Sequence, residues 1–225
     1  MAEPDLCTRP SPPSAGRGVD AAVVEAATRW LADDGFVAYP TETVWGLGAS
    51  ALRPRAVERL AAWKGRAEDA PMSVLVASSE AAEAIGCRFD PLARRLAEAF
   101  WPGPLTLVVP CRRRLADGVA RNDGALGLRC SPHPVASALT LAAQTAGLGP
   151  LTSTSFNRSG AAPAGCLEAA RALADRCEPG APWLVDAGID AGGGAPSSVV
   201  DCTGDRPTLL RAGAIDAEAL ERVWA

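Results

Sequence analysis

The sequence predicts an α/β (α+β) domain on one twisted mixed sheet with flanking helices, and three observations predict it. Segments with apolar residues at helical spacing are mixed with short apolar runs of strand length, without strict alternation. Proline and glycine mark the breaks between them. Hydrophobic residues make up 48% of the 225 residues, enough to bury a sizeable core in a single domain.

Residues 1–18 hold Pro4, Pro10, Pro12, Pro13, Gly16 and Gly18 and few apolar side chains, the composition of a flexible tail ahead of a folded domain over 19–225. Val19, Val23, Ala26, Ala27, Trp30 and Leu31 share one face of a helix over 19–34, which Gly35 ends. Phe36 to Tyr39 is an apolar strand stopped by Pro40. The polar turn Thr41-Glu42-Thr43 then leads into Val44-Trp45-Gly46-Leu47-Gly48. Pro54 opens a helix to about Trp63, and Gly65 suits a left-handed cap after it.

A strand is expected over 73–77, helices near 79–86 and 90–100, and a strand over 105–109 after the rigid turn Trp101-Pro102-Gly103-Pro104. Arg112, Arg113 and Arg114 open an exposed excursion reaching Asn122. A strand at 125–129, a helix at 134–146 and a strand at 151–153 follow, then a polar loop from Thr154 to Gly160. The rest predicts a helix over 167–177, strands at 183–185, 197–201 and 208–211, and a helix over 216–224. No internal repeat is visible.

Composition narrows the function. The opening segment lacks the apolar run of a secretory leader, and no stretch reaches the roughly 18 uncharged apolar residues of a membrane span. Seven cysteines in an odd count, with no Cys-x-x-Cys pair, argue against a disulfide framework or a zinc site. The expectation is a cytoplasmic protein without a membrane partner. His133 is the only histidine, which argues against a multi-histidine metal centre, and no protein metal ligands are identified. Flanked by Pro132 and Pro134 at a helix start, it suits a surface or capping role better than a catalytic triad. The net charge of −4 is unlike that of a general nucleic-acid binder.

Gly46-Leu47-Gly48-Ala49-Ser50-Ala51 fits a loose dinucleotide fingerprint, but no helix opens within it. Close backbone packing is the better account of these glycines. Lys64 is the only lysine among 22 lysine and arginine residues. It sits in Lys64-Gly65-Arg66, where a point charge and a planar fork flank a glycine, a pairing suited to adjacent phosphate oxygens. Cations also commonly end helices to complement the dipole. The run Ser153-Thr154-Ser155-Phe156-Asn157-Arg158-Ser159-Gly160 concentrates hydroxyl and amide groups at a strand end, where phosphate, ribose or amino-acid polar groups can be bound. Arg129 and Arg211 each end a strand and could clamp a carboxylate or phosphate.

In their order, Tyr39 to Gly48, Lys64-Gly65-Arg66, Trp101-Pro102-Gly103-Pro104-Leu105-Thr106, Ser153 to Gly160, Ser197-Ser198-Val199-Val200-Asp201 and Leu209-Leu210-Arg211 resemble the YrdC-like family over about residues 20–213. The resemblance implies a single YrdC-like domain with a concave cationic surface. It also implies L-threonylcarbamoyladenylate synthase activity, which joins L-threonine, bicarbonate and ATP, with Mg²⁺ accompanying the ATP, and releases pyrophosphate. A downstream transferase complex then modifies tRNA, and weak direct tRNA binding stays open.

On this resemblance Lys64 and Arg66 carry catalysis by holding the triphosphate. Ser155, Asn157 and Arg211 fall near ATP, and Thr41, Thr43, Arg129, Ser153 and Ser197 near L-threonine. The departures are Trp45 for a usual tyrosine or phenylalanine, Ala70 and Met72 in a usual Asn-Pro-Leu, Phe156 for a frequent alanine, and no histidine near Leu75. They bear on which amino acid is used. The alternatives are a carbamoyl-adenylate-forming domain of the hydrogenase-maturation type and a non-catalytic RNA- or ribosome-binding module.

Overall fold

The computed structural model describes residues 18–67, 70–174 and 180–224. The expected tail therefore lies outside the described residues except for Gly18, as do the last residues of the helix expected over 167–177. The strands are β1 (Phe36–Tyr39), β2 (Gly46–Ala49), β3 (Ser73–Leu75), β4 (Leu105–Pro110), β5 (Ala125–Arg129), β6 (Leu151–Ser155), β7 (Trp183–Leu184), β8 (Ser198–Asp201) and β9 (Thr208–Arg211). The helices are α1 (Ala21–Ala32), α2 (Pro54–Lys64), α3 (Ser79–Ala84), α4 (Pro91–Phe100), α5 (Pro134–Thr145), α6 (Leu167–Ala174) and α7 (Ala217–Trp224).

The strands form one mixed sheet in the order β7-β1-β2-β6-β3-β5-β4-β8-β9. Three pairings are parallel, β1 with β7, β3 with β5 and β4 with β8, and the others are antiparallel. Helix starts follow local chemistry. Asp20, Ser78 and Asp90 accept backbone N–H groups at the starts of α1, α3 and α4, and proline opens α2, α4 and α5, where its missing N–H costs nothing.

The sheet has two unlike faces because side chains alternate along a strand. On one face Phe36, Ala38, Val74, Leu105, Leu107, Leu126, Leu128 and Val200 join a core shared with Leu60 and Trp63 of α2, Leu96 of α4 and Leu220 of α7. On the other, Val37, Tyr39, Leu75 and Leu151 pack beneath Leu31 of α1 and Leu139 of α5. Continuing the second parity, Ser73, Ser153 and Ser155 share the face of Leu75 and Leu151. Beyond the cover of α1 and α5 this face is polar.

Some boundaries differ from those expected. The strand expected over 151–153 continues to Ser155, because Thr154 and Ser155 pair with Leu47 and Gly46. Ahead of β2, which starts at Gly46, the Val44 carbonyl accepts the Thr41 hydroxyl at 2.6 Å. The third ends at Leu75, although Val76 N–H still reaches the Arg129 carbonyl at 2.9 Å. Residues 112–114 are exposed as expected, but the excursion is not solvated throughout. Ala116 and Val119 are buried, and Met72 N–H donates to the carbonyls of Gly118 and Val119. His133 caps α5 by accepting Val135 N–H, yet it is buried, with Nε2 2.9 Å from the Asp190 carbonyl. A surface position for it is thereby corrected.

Gly46 and Gly48 lie in β2 against the buried Tyr39 ring. A Cβ at Gly48 would stand 2.7 Å from the Thr152 carbonyl oxygen and 2.9 Å from that ring, so these glycines serve close packing. Gly48→Ala is expected to lower the unfolding free energy by about 1–3 kcal/mol in urea titrations. A change within about 0.5 kcal/mol, the size of an inert surface substitution, would contradict this.

Candidate functional site

The polar part of the second face forms the floor of a cleft of about 390 Å³, a size suited to a small-molecule ligand. Alternation builds it. Thr106 and Val108 of β4, Ala125, Gly127 and Arg129 of β5, Ser73 of β3 and Val199 of β8 all line the cleft. Arg211 enters from β9, which pairs with β8.

Lys64 and Arg66 reach the cleft from the end of α2. Gly65 takes φ 66° and ψ 40°, a left-handed cap that turns the chain at once. Gly65 and Arg66 N–H groups return to the Ala62 and Ala61 carbonyls at 3.1 and 3.0 Å. Lys64 is only 4% exposed. Its ammonium donates to the Ser155 carbonyl at 2.5 Å, the Asn157 carbonyl at 3.2 Å and Asn157 Oδ1 at 2.8 Å. The Lys64 carbonyl in turn accepts Ser159 N–H at 2.7 Å. Ser155 Oγ also donates to Asn157 Oδ1, at 2.7 Å. Burial, with the nearby charge of Arg66, lowers the Lys64 pKa to about 8. Arg66 donates to the carbonyls of Ala70 and Pro71 and to Thr154 Oγ1, and burial lowers its pKa as well.

A second constellation faces the first. Thr41 and Thr43 Oγ1 atoms are 3.0 Å apart in the turn after β1. Arg129 Nη2 donates to Glu42 and, at 3.3 Å, to Thr43 Oγ1, while Arg129 Nε is buried with no partner among the described residues. Glu42 also accepts the Ser131 hydroxyl. Arg211 donates to the Ser197 carbonyl at 3.1 and 2.8 Å and to Ser197 Oγ at 3.0 Å, and Ser197 Oγ lies 3.0 Å from Thr106 Oγ1. Burial and then the charge of Arg129 lower the Arg211 pKa.

All ten residues singled out from the sequence, Thr41, Thr43, Lys64, Arg66, Arg129, Ser153, Ser155, Asn157, Ser197 and Arg211, line this one cleft. Sequence reasoning missed Arg121, which lines it too and is held by Asp123 and Asp201, an arrangement that raises its pKa. Asp201 is 80 positions away along the chain, so no local motif marked the pair. Thr106 was also missed, although its place between apolar neighbours in Leu105-Thr106-Leu107 is the mark of a face that alternates. Glu42 was quoted in the turn without a role.

The Sua5/YciO/YrdC family, described as Telomere recombination, matches residues 29–213. A Bacillus subtilis protein named threonylcarbamoyl-AMP synthase is 36% identical over 202 residues, which cover 89% of this chain and 56% of that protein. A Mycobacterium tuberculosis relative is 37% identical over 192 residues, covering 84% of this chain and 82% of its own length. The crystal structure of P. abyssi Sua5 complexed with L-threonine superposes with a TM-score of 0.79 at 31% identity, covering 89% of this chain and 56% of that one. The chain thus spans just over half the length of the first curated relatives it matches.

Because Lys64 is the only lysine, protein labelled with ¹³C-lysine gives a single ε-CH₂ resonance from this site. It is expected to titrate with a midpoint of about 8, and Arg66→Ala should move the midpoint upward by removing the like charge. An unfolded chain titrates near 10.5. It therefore binds more protons between these values, and the group makes the fold more stable as pH rises through that window. A midpoint at 10.5 in the native protein would contradict the burial and the pairing.

Proposed function

The chain belongs to the Sua5/YciO/YrdC family, and from that membership we propose that it is an L-threonylcarbamoyladenylate synthase, forming threonylcarbamoyl-AMP and pyrophosphate from L-threonine, bicarbonate and ATP. The observation that carries the proposal is the convergence of all ten sequence-selected residues on one cleft. Relatives named threonylcarbamoyl-AMP synthase and a neighbour crystallised with L-threonine support the choice of substrates.

In this reading the amine of threonine takes up carbon dioxide from bicarbonate to give a carbamate. A carbamate oxygen then attacks the α-phosphorus and displaces pyrophosphate. The protein's contribution is position and charge. Lys64 and Arg66 receive the triphosphate of MgATP, with Ser155, Asn157 and Arg211 beside it. No carboxylate lines the cleft among the described residues, so Mg²⁺ would enter as part of the nucleotide, on phosphate oxygens. Arg129 takes the threonine carboxylate, with Thr41, Thr43, Ser153 and Ser197 around the amino acid.

Arg129 and Arg211 approach each other across Thr106 and Ser197. The anions they hold would lie side by side, as transfer of the carbamate to phosphorus requires. The product would pass to a transferase complex that modifies tRNA, and a cytoplasmic location follows from that role. None of the described helices is long and apolar enough to cross a membrane.

Purified protein with MgATP is expected to release pyrophosphate only when both L-threonine and bicarbonate are present. Arg66→Ala should lower kcat/KM for ATP by about 100-fold. Arg129→Lys should raise KM for threonine by about tenfold with ATP affinity kept, because an ammonium lacks the planar fork. Turnover with carbamoyl phosphate in place of threonine would favour carbamoyl-adenylate formation. Salt-sensitive RNA binding without any turnover would overturn the assignment.

ATP affinity should also fall as pH rises through about 8, by at most about tenfold per unit, as the Lys64 ammonium loses its proton. Calorimetric titration between neutral and alkaline pH measures this, and a flat profile would remove Lys64 from the phosphate site.

A further inference from the structure

Away from the cleft, two thiols meet. Cys87 lies in the connection between α3 and α4, and Cys111 directly follows β4. They form an antiparallel bridge. Its hydrogen bonds run between the flanking residues, from Arg88 N–H to the Pro110 carbonyl at 2.8 Å and from Arg112 N–H to the Gly86 carbonyl at 3.0 Å. The pair is therefore of the non-hydrogen-bonded kind, whose facing side chains stand closest, with Cα atoms about 4.5 Å apart. That spacing lies inside the range of about 4.4–6.8 Å that disulfides bridge. The two Sγ atoms are already 3.1 Å apart.

The two sulfurs are not equivalent. Cys87 is buried and donates its S–H to Cys111 Sγ, while Cys111 is partly exposed. That donated hydrogen bond, assisted by the backbone and charge of Arg113, lowers the Cys111 pKa against the opposing effect of burial. The same contact, together with burial, pushes the Cys87 thiol upward. Cys111 is thus the more accessible and more readily ionised sulfur, and Cys87 is a sheltered thiol held against it.

We propose that Cys87 and Cys111 form a modification site, which an oxidant of the peroxide class converts to a reversible disulfide. The Cys111 thiolate attacks a peroxide oxygen and becomes a sulfenic acid, releasing hydroxide when the oxidant is hydrogen peroxide. The Cys87 sulfur then attacks Cys111 Sγ, its proton leaves with the hydroxyl as water, and the S–S bond forms. Two thiols are oxidised by two electrons, and one peroxide is reduced to two waters.

The crosslink encloses α4 and β4 and fixes the root of the segment that carries Arg121 to the cleft. Closing a loop across a separation of 24 residues constrains the unfolded chain. The oxidised protein should therefore melt higher than the reduced one by roughly 5–10 °C.

The test treats the full chain with a small excess of hydrogen peroxide, digests it with trypsin without reduction and reads the peptides by mass spectrometry. The expected product is a dominant linked pair, residues 67–88 joined to 96–112, lighter by two hydrogens and separated again by dithiothreitol. In Cys87→Ser, Cys111 should stop at a sulfenic acid that dimedone labels. In Cys111→Ser, Cys87 should stay unlabelled. Linkage of either cysteine mainly to another partner, or oxidation of Cys111 to sulfinic acid without linkage in the unsubstituted chain, overturns the site. Equal melting of the oxidised and reduced unsubstituted chain overturns the clamp.

Discussion

Three oxygens converge on the Lys64 ammonium, the carbonyls of Ser155 and Asn157 and the side chain of Asn157. The cleft depends on this contact, because it joins the end of α2 to the turn after β6. Without a cation there, those oxygens would face one another in a buried space, and each unsatisfied acceptor would cost about 1–3 kcal/mol. The bond in the other direction, from Ser159 N–H to the Lys64 carbonyl, completes the joint. An ammonium so enclosed loses its hydration, and only good pairing makes that tolerable. The fall of its pKa to about 8 records the desolvation and the repulsion from Arg66 that these bonds leave uncompensated.

The second constraint is the two-residue period of the strands. Leu105, Leu107, Leu126 and Leu128 go to the helical core, while Thr106, Val108, Gly127 and Arg129 go to the cleft. Register carries the effect across the sheet, since Arg129 pairs with Thr106, and Thr106 with Val199. One slip of one residue would bury Arg129 among leucines. Core formation and assembly of the site are therefore the same event on these strands.

This explains what was legible in the sequence. The mixed α/β class, Gly65 as a left-handed cap and the packing role of Gly46 and Gly48 rest on local chemistry, and the chain carries that openly. The ten cleft residues were legible because they fall in short motifs whose order is itself informative. Arg121 was not, since its place is set by Asp201 on a distant strand. Nor was the burial of His133, which depends on Asp190 folding over it. The end of β6 was misjudged for a related reason. Thr154 and Ser155 have the composition of a loop, and only pairing with β2 makes them strand.

The partners of the cations sort them into two kinds. Lys64, Arg66 and Arg211 donate only to neutral oxygens among the described residues, so their charges stand unneutralised. Arg129 is paired with Glu42, and Arg121 with Asp123 and Asp201, and those carboxylates lie outside the lining of the cleft. A polyphosphate needs several full positive charges, whereas an amino-acid carboxylate needs one oriented guanidinium. The proposed division, with the triphosphate on Lys64, Arg66 and Arg211 and threonine on Arg129, follows the same line as the neutralisation. In a chain of net charge −4, such a local concentration of uncompensated cations focuses anions at the cleft. Burial first, and like-charge repulsion second, lower the Lys64 and Arg211 pKa values, and an anion bound there would oppose both effects. The cost of bringing these charges together would then be offset by binding of the proposed nucleotide.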